Sequence, residues 1–200
     1  MVSWVSAASE RGFVLAARTA SDLANRTGTF QVYYDAREVE SGMEVSDDKH
    51  YVELTGLSET TDYVFDIQSG TTIVNNGGAH FLQRTGVAQT GSPNTFTVAG
   101  RVKTSAGIEA SHVLVYLQVT SGVNVSQTWA VLADSAGQFA FDLRSIYRQD
   151  ASALFDIHTG DLLSIDIRGA SDGSYNTGGN PLVLDTSLDF QVLDDITLVR

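Results

Sequence analysis

The chain contains no cysteine. No disulfide can staple it and no thiol can serve as a nucleophile. A secreted sandwich of this size holds without disulfides, so the compartment is not fixed by this absence. Proline is nearly missing, with 2 in 200 residues. No stretch holds 18 consecutive apolar residues, which excludes a membrane-spanning helix. Positive charge is scarce: 12 Lys and Arg stand against 24 Asp and Glu, a formal net charge of −12. That deficit argues against nucleic acid, whose phosphates need basic side chains, and against an anionic membrane surface. It suits a self-repelling surface or the binding of cations. No leader is expected at the start of these residues. Met1 runs directly into VSWVS without a basic region or a long apolar segment, so the expectation is a signal already removed or a chain cut from a longer one.

What is present favours β-structure. Hydrophobic residues reach 42%, enough for real cores, while charged residues make up only 18%. Thr, Ser, Val and aromatics crowd the non-glycine positions, the composition of pleated, half-buried surfaces. The length allows one large or two small domains. VSWVS (2–6) reads as a strand anchored by Trp4. Arg11-Gly12 reads as a turn into a second strand, FVLAAR, and TFQVYYDA as a third. Residues 38–50 read as a polar, acidic loop. YVELTGLSETTDYVFDIQSG (51–70) reads as two strands around a corner, with Tyr63, Phe65 and Ile67 on one face and Val64, Asp66 and Gln68 on the other. Asn75-Asn76-Gly77-Gly78 signals a turn into AHFLQRT. That makes six strands.

Residues 86–95 are small and polar and hold one of the prolines, the composition of a linker. Charge does not shift across it: up to residue 91 there are 6 basic and 12 acidic side chains, and the same numbers follow. Beyond it, Phe96, Val98 and Val102 share a strand face. So do Val113, Val115, Leu117 and Val119, and likewise Phe139, Phe141 and Leu143. Asp134-Ser135-Ala136-Gly137 is a turn, 144–155 is the only stretch expected to hold a helical turn, and LLSIDIRG and DFQVLDDITLVR close the chain as strands.

The spacing Leu57, Thr61, Tyr63 resembles the fibronectin type III pattern, in which the tyrosine hydroxyl hydrogen-bonds back across a corner. Glu59 stands where that family usually has proline. The match is also similar to the N-terminal sandwich of purple acid phosphatases, whose catalytic domain and metal-ligand motifs this chain lacks. Residues Gly100, Val102, Gly107, Val113, Val115, Asp134, Gly137, Phe139 and Phe141 resemble the carboxypeptidase regulatory-like, transthyretin-like domains of bacterial surface proteins, with Glu109 in place of a common proline. The two resemblances together imply an all-β fold of two tandem Ig-like or fibronectin-like β-sandwiches: 1–87 as a fibronectin type III-like sandwich lacking its first strand, 88–95 as a linker, and 96–200 as the regulatory-like sandwich.

Chemistry-bearing patterns are sparse. His50, His80, His112 and His158 have no helical i, i+4 partner. Asp47, Asp48 and His50 read as a solvated loop. Asp156, His158 and Asp161 would need further ligands to hold a metal, and read as a polar loop before a strand. The oxygen-rich loop 169–180 is the candidate for calcium, although it lacks EF-hand spacing. Asp194-Asp195 falls within a strand, which puts one carboxylate inward and calls for a bulge, a basic partner or a cation. Trp4 and Trp129 could stack on sugars but fit core packing better. Asn25-Arg26-Thr27 and Asn124-Val125-Ser126 are glycosylation sequons. No nucleophile elbow or phosphate-binding loop is present. No catalytic, cofactor-binding or metal residue is therefore assigned.

The expectation is a non-enzymatic extracellular or cell-surface structural protein: a filament or pilus-like subunit that assembles head to tail by strand complementation at the edge left open by the missing strand. The alternative is an accessory spacer module of a larger secreted protein that binds carbohydrate or protein. No cofactor, nucleic acid or membrane span is expected; a glycan or cell-surface partner is.

Overall fold

The computed structural model describes residues 1–88 and 96–200. Apart from Ala88, the expected linker 88–95 lies outside the described residues. The chain is all-β, mostly strand with several antiparallel sheets. It divides into two compact units, Met1–Gly86 and Val87–Arg200.

Unit 1 contains strands β1 (Val2–Ala17), β2 (Gln31–Tyr34), β3 (Ser46–Val52), β4 (Asp62–Ser69), β5 (Thr72–Val74) and β6 (Phe81–Arg84), with short helices α1 (Ala20–Asn25) and α2 (Ala36–Ser41). Its organiser is β1. The sequence predicts two strands hinged at Arg11-Gly12, but the structure holds one strand of 16 residues. The glycine is misleading because its φ is not positive. It is needed for close approach instead: a Cβ there would stand 2.5 Å from Trp4 and from His50. The register against β3 slips between Val5, opposite Lys49, and Glu10, opposite Asp47. Past that bulge β1 still pairs with β3 at Glu10 and Arg11, and it passes to β4 and β2 only from Gly12 onward. Val2–Val5 pair with β3, while Gly12–Ala17 pair with β4 and Phe13–Ala16 with β2. Successive side chains of β1 then feed opposite faces. Val14 and Ala16 join Val52, Trp4 and Phe65, whereas Leu15 and Ala17 join Leu23, Val32 and Val64.

Two other expectations are corrected. Residues 38–50 are not a loop but mostly the end of α2 and the start of β3. Asp35 caps α2 by accepting the Arg37 amide, and Gly42 ends it with φ at 70°, as caps of these types do. Residues 144–155 are not the only site of helical turns; that stretch has just the end of a 3-10 turn at Leu143–Ser145. α1 and α2 have six residues each, too few to show a helical period. On β4, Asp66 is buried on the face it shares with Val64 and Gln68. Its carboxylate lies 2.8 Å from His80 Nδ1. The corner itself is present: the Ser58 amide donates to the Tyr63 hydroxyl at 2.9 Å.

Unit 2 contains β7 (Thr97–Lys103), β8 (Leu114–Ser121), β9 (Asn124–Val125), β10 (Trp129–Leu132), β11 (Gln138–Asp142), β12 (Leu162–Arg168), β13 (Ser174–Asn176), β14 (Leu182–Val183), β15 (Phe190–Val192) and β16 (Ile196–Thr197). One sheet runs β10–β8–β12–β13, with β9 on β8 and β14 on β12. The other runs β11–β7–β15, with β16 continuing beside β7. β15 and β16 pair parallel to β7. Every apolar residue that the sequence assigns to a shared face on β7, β8 and β11 is buried in one cluster, from Val98 and Val115 to Phe141. Asp194 and Asp195 depart from expectation: they fall between β15 and β16, and both are exposed. The strand breaks rather than burying a charge, and Asp195 meets Lys103 at 2.6 Å.

Candidate functional site

Unit 1 holds a buried polar network where β1 bends. His50 is fully buried and stacks on Trp4, opposite it across β1 and β3, with centroids 4.6 Å apart. Its Nε2 lies 3.0 Å from Ser6 Oγ, and that hydroxyl lies 2.8 Å from the Ala8 carbonyl. Because the serine proton goes to a backbone carbonyl, His50 Nε2–H is the donor to Ser6 Oγ. Nδ1 then faces Gly12 without a hydrogen-bond partner. Burial lowers the His50 pKa below its ordinary value. The pair looks like a serine–histidine dyad, but the hydroxyl is pinned to backbone, so its work is to hold the bulge.

Beside it, Asp35 accepts from the Tyr51 amide at 3.0 Å and from Arg37 Nε at 2.8 Å. Arg37 also donates to Asp47 and to the Lys49 carbonyl, each at 2.5 Å. Burial pushes both carboxylates up, yet Arg37 and the amides outweigh it and hold both below the usual range. Asp47, Asp48 and His50 are thus not a solvated loop: they lie on a paired strand.

The other sequence candidates fall apart. His158 is exposed, 3.5 Å from Asp156 and 4.0 Å from Asp161, whose carboxylate accepts the His158 amide. Residues 169–180 are not an open loop but hold a 3-10 turn at Ala170–Asp172 and the strand β13, and the Asn176 and Thr177 oxygens accept the Gly178 and Ile165 amides. Among the described residues, no three His, Cys, Asp or Glu side chains group closely enough to hold a metal. His112 and His80 take positive φ at loop positions. Trp4 and Trp129 are half-buried against the two cores. The sequon residues Asn25 and Asn124 are exposed.

Two surfaces were not legible beforehand. The first is a cavity of about 360 Å³ in unit 1, at the corner end of its larger sheet, lined among others by Arg18, Thr29, Gln31, Tyr33 and Tyr63. The second is the outer face of the sheet β11–β7–β15. Ala99 stands between Ala140 and Val192, and Thr97 between Asp142 and Phe190. Small residues there flank a step of two large apolar ones, with Val192 66% and Phe190 58% exposed. Leu188 and Val183 nearby in sequence are exposed too. Alternation in DFQVLDD signals the strand but not which face is covered.

Comparisons with family models, curated proteins and solved structures return no match. The all-β fold defines the class of this protein, and its function is argued from these sites.

Proposed function

We propose that the chain is a non-enzymatic structural protein of the cell surface or extracellular space, a subunit that assembles head to tail by adding strands at a sheet edge. The observation that carries this reading is β15. It borders β7 on one side and projects Phe190 and Val192 into solvent. Exposed apolar edge strands are templates for strand addition, and exposed apolar patches mark interaction surfaces. This moves the proposed joint from the opening residues to the C-terminal edge, because Val2–Val5 already pair with β3. The fibronectin-like and regulatory-like resemblances are consistent with such a role, and the exposed sequon asparagines with an extracellular setting.

The test is sedimentation velocity with electron microscopy across protein concentration and salt. A chain of net charge −12 repels its copies, so association should strengthen as salt screens that repulsion. The variant Phe190→Asp/Val192→Asp should stay monomeric. A wild-type chain that remains monomeric at high concentration and high salt sinks the proposal.

A further inference from the structure

The cavity in unit 1 has a chemistry that the assembly reading does not use. It is built where the ends of several elements converge: Ala16 in β1, Arg18 just after it, Gly28 and Thr29 after α1, Gln31 and Tyr33 on β2, Gly56 and Leu57 in the corner loop, and Tyr63 on β4. Arg18 is the one charged side chain in this lining, and it is exposed. Its Nη2 donates to Ser58 Oγ at 2.5 Å, leaving further donors of the guanidinium fork. Its backbone amide is fixed by Thr29 Oγ1 at 2.9 Å, and Thr29 is itself held by Asp22 at 2.8 Å. The cation is therefore tethered at the backbone and aimed at the corner.

The hydroxyls around it are oriented as acceptors. Tyr33 donates its proton to Gln31 Oε1, with the Thr55 carbonyl 3.2 Å away. Tyr63 accepts the Ser58 amide. Burial alone would raise the Tyr63 phenol, but the Ser58 amide and Arg18 hold it below its ordinary value. Burial raises Tyr33. Arg18 thus sets a positive potential at one end of the cavity. The same lining offers the half-buried Tyr33 ring, hydroxyl acceptors on Tyr33 and Thr29, and the Gln31 amide nitrogen.

We infer that this cavity is a binding site for a carboxylated sugar of monosaccharide size, a glycuronate. The carboxylate would take the free edge of the Arg18 guanidinium, which matches it in plane and spacing. The sugar hydroxyls would donate to Tyr33 and Thr29 and accept from Gln31, with one ring face against Tyr33. A cavity of about 360 Å³ is at the small end of ligand sites, which fits one sugar ring and not an extended chain.

The test is a chemical-shift titration of the full chain with glucuronate, galacturonate, their neutral parent sugars and acetate. The expected result is saturable binding of a uronate in the millimolar range, with shifts at Arg18, Gln31, Tyr33 and Tyr63. Acetate and the neutral sugars should bind about tenfold more weakly or worse. Arg18→Ala should lose the uronate by about tenfold or more, and Arg18→Lys should restore only part of it. Gln31→Ala, at an exposed position, provides a second variant and should weaken the uronate while leaving the melting temperature unchanged. Acetate binding as well as the uronates would reduce the site to an anion hole and overturn the sugar assignment. Equal binding of the neutral sugars, or an unaffected Arg18→Ala, would overturn the role of Arg18. Failure of every sugar to bind overturns the inference and leaves the assembly proposal standing.

Discussion

The two units solve the problem of holding sheets together in different ways. Unit 2 has one continuous core of 20 buried residues, from Phe96 to Leu198, all apolar. Unit 1 divides its apolar interior into two clusters of three buried residues each, on opposite faces of one sheet. It also buries Asp35, Glu38, Lys49, His50 and Asp66, where unit 2 buries one such group, Asp161. Apolar burial contributes about 1.5–3 kcal/mol for each fully buried Val or Leu and demands no exact partner. A buried charge is tolerable only while its partner stays in place. Unit 2 should therefore be the tougher of the two, and unit 1 the one whose geometry is more tightly specified. The two tryptophans report on them separately, since Trp4 lies in unit 1 and Trp129 in unit 2.

The comparison can be broken most forcefully at Phe141, which is fully buried in unit 2. Phe141→Ala should cost unit 2 about 3–5 kcal/mol. In denaturant, the Trp129 transition should move to lower concentration while that of Trp4 stays in place. If both move together, the units are not energetically separate.

Arg37→Ala is the matching blow to unit 1. It strands Asp35, which is 1% exposed, without its cation. The expected cost is about 3 kcal/mol, the lower end for breaking a buried pair, and it should appear in the Trp4 signal alone. A loss below about 1 kcal/mol, the level of a surface pair, would mean that unit 1 does not rely on its ions.

Acid sharpens the contrast with the smallest effect. Burial holds the His50 pKa below its ordinary value of 6.5. The unfolded chain therefore binds this proton more readily than the folded one. His50's contribution is complete above pH 6.5 and declines as pH falls below it. The lowered pKa values of Asp35 and Asp47 add a loss of the same sign, beginning only below about pH 4. In unit 2 the lowered groups are carboxylates, such as Asp142 and Asp195, so it should hold steady between pH 6.5 and 5. A Trp129 transition that responds first on acidification would reverse the comparison.

Legibility followed the same division. The faces of β7, β8 and β11 could be read from alternating Val, Leu and Phe, because one side of each strand meets the core and the other meets water. The bond of Tyr63 across the corner was expected from the resemblance of Leu57, Thr61 and Tyr63 to the fibronectin type III pattern. β3 was not, since Ser46-Asp47-Asp48-Lys49 has the composition of a loop and becomes a strand only when Arg37 and Lys49 neutralise its two aspartates. Gly12 was misread because a sequence does not separate a glycine required by φ from one required by close approach.

By itself the sequence determined that this protein is all-β and where the core of its second half lies, because period-two hydrophobicity is local and survives any arrangement of strands. Only the tertiary structure decided that β1 serves two sheets, that Asp35, Glu38, Lys49, His50 and Asp66 are buried in unit 1, that Arg18 lines a cavity and that Phe190 and Val192 face solvent. Each of these depends on which distant segment arrives alongside, and neighbouring residues do not encode that.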